Sequence, residues 1–164
     1  MKRMFILILS LIILLIGCGQ AGPDMPEEMP EDFDFSVRFG ITARNEINTF
    51  EDRVTKDLIA NGTATAQLSL TEDEMKGVYE RMKKIRILRD LRLEARDGCL
   101  QVPYEEEYWT IQIDGEIREY YWTQEKCTLT KDAQQLRELR QTIFNIVKQK
   151  SAYQELPEAV GGYD

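Results

Sequence analysis

The sequence predicts an α+β domain: an antiparallel sheet from two hairpins plus an N-terminal strand, with two helices on one face, in the order β-ββ-α-ββ-α. Three observations predict it. Apolar and polar residues alternate from Phe33 to Ile41. Asn61-Gly62 and Asp114-Gly115, dipeptides that tolerate positive φ, each separate two β-prone runs. Two later stretches, opening at Thr71 and Thr130, space their apolar residues by three and four.

In the first strand Phe33, Phe35, Val37, Phe39 and Ile41 share one face. Residues 42–48 read as a polar connection. Phe50, Val54 and Leu58 sit at even spacing and predict a second strand over 49–58. After Asn61-Gly62 the return strand, 63–70, turns Ala64, Ala66, Leu68 and Leu70 to one side. Thr71-Glu72-Asp73-Glu74 is a capping box, in which hydroxyl and carboxylate each satisfy an orphan amide of the first helical turn. Met75, Val78, Tyr79 and Met82 continue at helical spacing. Residues 85–98 fit either a longer helix or an irregular strand.

Tyr108–Ile113 and Glu116–Thr123 flank Asp114-Gly115. A two-residue turn there pairs Ile113 with Glu116, Ile111 with Arg118 and Trp109 with Tyr120. Trp109, Ile111, Ile113, Tyr120 and Trp122 then share the core face. Tyr108 and Tyr121 lie opposite one another on the other face, beside Thr110 and Glu119. Small α+β domains often bury such a pair, so the first expectation is cover by the second helix, the tail or the first strand. Left bare, the pair is a partner patch, because tyrosine joins a rigid apolar body to a polar tip. The second helix is predicted over 131–150, with Thr130 as N-cap and Leu136, Leu139, Ile143, Ile146 and Val147 inward. Lys148 and Lys150 fall in its last turn, where cations suit the dipole. Residues 151–164, with Pro157 and Gly161-Gly162, read as an extended tail.

Ahead of the fold, Lys2 and Arg3 precede an apolar run from Phe5 to Ile16, broken only by Ser10. The order is that of a secretory signal peptide, and the run is shorter than the ~20 residues a membrane span needs. Leu15-Ile16-Gly17-Cys18 resembles the lipobox of bacterial lipoproteins. That resemblance implies cleavage after Gly17 and a diacylglyceryl group on Cys18, two acyl chains being enough for a stable anchor. The organisation read from this is a signal peptide over 1–17, a lipidated cysteine with a flexible acidic tether over 18–32, and one domain over 33–164.

Without the leader's two cations the chain carries 19 basic against 29 acidic residues, net −10. Such a charge argues against a nucleic-acid partner. It also argues that the anchor rather than the protein surface holds the chain at an anionic membrane. With Cys18 assigned to lipid, Cys99 and Cys127 remain as a pair, and an oxidising compartment makes a disulfide the natural reading. Two isolated cysteines, no CxxC and no histidine argue against zinc.

No catalytic constellation emerges. The chain has no histidine, no GxSxG elbow, no P-loop and no dinucleotide-binding glycine pattern. Glu105-Glu106-Glu107 could attract a cation through oxygens, but it lacks EF-hand spacing and reads as a solvated loop. Asn45–Leu58, holding Thr49-Phe50 and Thr55-Lys56-Asp57-Leu58, and the later Leu156-Pro157-Glu158 and Gly161-Gly162-Tyr163 resemble segments of small lipoproteins from Bacillus-type bacteria. The resemblance implies the outer face of a monoderm plasma membrane and no activity. Lys56 and Asp57 read as an exposed pair near a turn. The function expected is therefore a lipid-anchored, extracytoplasmic, non-enzymatic protein without cofactor that contacts proteins or envelope components. The alternatives are an inhibitor or immunity-type lipoprotein and a hydrolase using carboxylates alone.

Overall fold

A computed structural model describes residues 22–96 and 98–163; the expected signal peptide and Cys18 lie outside them. Six strands form one antiparallel sheet: β1 (Asp34–Ile41), β2 (Asn45–Asn48), β3 (Arg53–Asp57), β4 (Thr63–Gln67), β5 (Glu105–Ile113) and β6 (Glu116–Thr123), in spatial order β4-β3-β2-β1-β5-β6. Helix α1 (Glu72–Lys84) joins β4 to β5, and α2 (Lys131–Val147) follows β6, with a short α3 (Ser151–Gln154) behind it. The class is α+β as predicted, with one strand more than expected.

Period-two patterning decides the layering. Phe35, Val37, Phe39, Ile47, Val54, Trp109, Ile111, Ile113 and Trp122 are buried on one face of the sheet. Val78, Tyr79 and Met82 of α1 and Ala133, Leu136, Leu139, Ile143 and Val147 of α2 join them in a single core. Both N-caps form: Thr71 Oγ1 accepts the Glu74 amide while Glu74 accepts the Thr71 amide, and Thr130 Oγ1 accepts the Ala133 amide. The β5–β6 register is the expected one at every pair, with Asp114 (φ 51°) and Gly115 (φ 76°) supplying the two left-handed positions a type I′ turn requires.

Five expectations need correction. The stretch over 49–58 is in fact a tight turn followed by β3. Thr49 Oγ1 accepts the Phe35 amide (2.8 Å) and pins the turn to β1, which leaves Phe50 exposed at the tip. Asn45–Asn48, read as connection, pairs with β1 because its one apolar residue, Ile47, faces the core. Residues 85–96 are neither helix nor strand: Arg86 takes φ 54°, which stops α1, and Ile87 is driven into the core. Helix α2 ends at Val147, so Lys150 caps nothing on it and instead bonds Glu74 of α1 (2.5 Å). The tail is docked: Leu156 is buried, and Val160 pairs in parallel with Ile59, exchanging bonds with Ala60 N and Leu58 O. That docking also widens the β3–β4 turn, so that Ile59 (φ 60°) shares the left-handed positions with Gly62 rather than Asn61.

A sixth correction is at the front. The expected tether is packed from Met25 onward. The Tyr79 hydroxyl reaches the Pro26 and Glu28 carbonyls (2.8 and 3.2 Å), Lys83 donates to the Glu27 carbonyl, and Asp32 accepts the Asp114 and Gly115 amides of the β5–β6 turn (3.0 and 2.7 Å). Residues 25–32 thus form a strap across the end of the domain.

The irregular 85–96 segment is fixed by one buried carboxylate. Asp132, in the first turn of α2, takes a two-pronged bond from Arg89 (2.5 and 3.0 Å) and the Arg92 amide (2.8 Å). The Arg89 guanidinium and the Arg92 amide hold the Asp132 carboxyl below the ordinary aspartate range against the opposing pull of burial. Its stabilisation is therefore fully present above the unfolded value and disappears as pH falls through the lower folded one. Asp132→Asn should lower stability at neutral pH by about 1.5–3 kcal/mol, and urea titrations should show the gap closing as pH falls below the ordinary aspartate range.

Candidate functional site

The helices cover one face of the sheet and leave the other open. Across that face the register lines up one row: Thr65, Thr55, Glu46, Arg38, Tyr108 and Tyr121, one residue from each strand. Tyr108 and Tyr121 are 41% and 46% exposed, so the expectation that an element covers them is overturned. Neither α2 nor the tail reaches this side, and β1 extends the face beside the pair instead of lying over it. The two rings stack, centroids 4.5 Å apart and planes 28° from parallel. The Arg38 guanidinium lies 5.6 Å from the Tyr108 centroid, within cation–π range.

Ser36, Thr110 and Glu119 line a shallow depression beside the rings. The Tyr121 hydroxyl donates to Glu106 Oε1 (2.9 Å). Partial burial and that carboxylate push the phenol far above its ordinary range, so it stays a neutral donor. Ile117, 61% exposed, sits on the same face further along β6. The surface is stiff, amphipathic and held by the central strands.

Glu105, Glu106 and Glu107 do not form a solvated loop or converge on a cation; they open β5 and point apart. Glu106 serves Tyr121, and Glu105 meets Arg140 (3.1 Å). Glu107 is fully buried, opposite Phe39 and Trp122. Its Oε2 accepts the indole N–H of both Trp109 (3.0 Å) and Trp122 (3.1 Å), and its Oε1 accepts Arg140 Nε (2.7 Å). Burial pushes the Glu107 carboxyl up, and the adjacent guanidinium opposes it. The sequence reading missed this cluster. The signal was available: Glu107 is in phase with Trp109, Ile111 and Ile113, the inward face of β5. Among the described residues no three His, Cys, Asp or Glu side chains are placed to hold a metal ion.

Cys99 and Cys127 stand at disulfide distance, their Cα atoms 5.3 Å apart. They close the open end of the β5–β6 hairpin, where Leu100 pairs with Lys126 and the Cys127 amide donates to the Cys99 carbonyl. Lys56 and Asp57 are not the exposed pair expected. Asp57 is buried under the tail, taking the Tyr163 hydroxyl and the Ile59 amide, with Arg44 at 3.7 Å. Lys56 lies over the Tyr153 ring and reaches Glu158 (3.5 Å). The stretch around Lys56 and Asp57 and the tail from Tyr153 to Tyr163 therefore meet in space as a clasp between tail and sheet.

Fold and site together define a two-layer α+β domain with one helix-covered and one open sheet face, the open face bearing a stacked tyrosine pair. No family model, no curated protein and no solved structure matches the chain.

Proposed function

We propose that this chain is a lipid-anchored, extracytoplasmic bacterial lipoprotein without enzymatic activity, which contacts proteins or other envelope components through the open sheet face. The lipobox-like Leu15-Ile16-Gly17-Cys18 supports the anchor. The observation that carries the contact is the bare, stacked Tyr108–Tyr121 pair beside Arg38. Tyrosine and arginine dominate the energetics of protein interfaces, and a pre-stacked pair loses little side-chain freedom on binding. A binding role rather than a chemical one is further supported by the carboxylates, since Glu105, Glu106, Glu107 and Asp57 each serve a structural partner.

The test begins with protein purified from membranes. Intact mass should give a chain starting at an acylated Cys18; a different start or no acyl mass refutes the anchor. Tyr108→Ser/Tyr121→Ser should leave the melting temperature nearly unchanged, because both rings already face water. Recovery of a crosslinked partner should fall about tenfold or more. Undiminished recovery eliminates the site.

A further inference from the structure

The charge on this acidic chain is segregated. Residues 81–96 hold seven cations and two carboxylates. They make up the end of α1 and the irregular segment behind it, and that segment lies along the first turns of α2, where Arg89 reaches both Asp132 and Gln135. Lys83 and Arg89 are tied to Glu27 and Asp132. Arg81, Lys84, Arg86 and Arg92 are exposed, and exposed Lys131 shares a shallow depression with Arg92. Arg96 is exposed as well, so six cations face the five exposed carboxylates Asp24, Glu80, Asp90, Glu94 and Glu138, of which Asp24 lies 3.4 Å from Arg86. The rest of the molecule carries the negative excess.

A second observation is where the packed chain begins. Gly22 lies against the backbone of this same segment; a Cβ there would stand 2.6 Å from the Arg89 Cα. Only three residues, Gly19, Gln20 and Ala21, separate Gly22 from Cys18, four steps along the chain that reach at most about 14 Å. A membrane held at Cys18 is therefore held next to the basic end of the helix layer.

We infer that Arg81, Lys84, Arg86, Arg92 and Lys131 form a membrane-facing surface that rests on anionic lipid headgroups and turns the open sheet face outward. This rests on the lipid-anchor reading above. An anionic leaflet attracts nearby cations over about one Debye length, and the short link keeps these five within that range. The same field repels the acidic remainder, so both effects turn the molecule one way. The whole-chain charge argued against a lipid contact because a sum conceals this separation.

The experiment uses the full chain, purified with its lipid and reconstituted into vesicles of phosphatidylcholine alone or with phosphatidylglycerol. Flotation and intact mass report the anchor independently. Lysine acylation, read by peptide mapping, then reports which side faces lipid. Lys84 and Lys131 should react at least threefold more slowly in the anionic vesicles, with exposed Lys148 unchanged, and added salt should abolish the difference. Arg81→Glu/Arg86→Glu/Arg92→Glu, all surface changes whose folding is checked by thermal melting, should restore both lysines to full reactivity. Equal reactivity in the two vesicle types, with the chain acylated and floating, overturns the orientation and leaves the anchor standing. A chain without acyl mass overturns both.

Discussion

Arg140→Met should cost the fold about 3–5 kcal/mol, the largest loss expected from any single exchange in this domain. Among the described residues Arg140 is the only cation touching Glu107, which is wholly enclosed. Removing it strands a carboxylate in a dry core. Against a typical total of about 5–15 kcal/mol, that is a large share of the stability. Many buried ion pairs can be exchanged for apolar residues of similar volume at little cost. Here the Glu107→Leu/Arg140→Met double variant should stay destabilised, because the Trp109 and Trp122 indoles both donate to Glu107 and would lose their acceptor, each at about 1–3 kcal/mol. Glu107→Gln, which keeps an acceptor oxygen, should lose less than Glu107→Leu. Urea unfolding followed by tryptophan fluorescence measures all four, since these are the chain's only tryptophans. A loss below about 1 kcal/mol for Arg140→Met would show that the guanidinium is not what neutralises Glu107.

Replacing Cys99 and Cys127 together by serine should cost roughly 3–4 kcal/mol, from the freedom the unfolded chain regains in a loop of 28 residues' separation. For a domain of this size that corresponds to a melting temperature lower by about 10 °C. The damage should be uneven. Pairing of residues 99–101 with 125–127 depends on the clamp, whereas the Asp114-Gly115 turn is held separately by Asp32. Amide exchange should therefore rise first at Gln101 and at position 127, whose N–H groups bond across this pair. Unchanged melting under reductant, with both thiols shown free, would refute the clamp.

The parts of this fold legible in the sequence are those dictated by neighbouring residues. Asp114-Gly115 admits one turn type, and that turn sets every pair of β5 and β6. Thr71 and Thr130 begin helices through bonds to residues three positions on. Parity of the cysteines selected Cys99 and Cys127. What stayed hidden depends on distant partners. Strand β2 has one inward residue, Ile47, and no alternation to betray it. Residues 85–96 owe their path to Asp132, some forty positions later. The strap over 25–32 looks like linker by composition, and distant partners such as the Tyr79 hydroxyl, the Lys83 ammonium and the Gly115 amide make it structure. The Tyr108–Tyr121 pairing could be read from register, but its exposure could not, because it turns on which side of the sheet the helices choose.

The strap has a mechanical consequence. Any pull on the chain ahead of Gly22 enters the domain through residues 22–32, and their holds are arranged in series: Gly22 on Leu88–Arg89, Met25 in the core, Pro26 and Glu28 on Tyr79, Glu27 on Lys83, Asp32 on the β5–β6 turn. Tension loads such contacts one after another, so they peel rather than shear. Strand β1, paired along its whole length with β5 and from Ser36 to Phe39 with β2, resists as a unit. Under load the strap should let go first and lengthen the link by up to about 36 Å while the sheet stays folded. Residues 22–32 then act as a force-limited extension, wound onto the domain at rest and released when the domain is drawn away from the chain ahead of it.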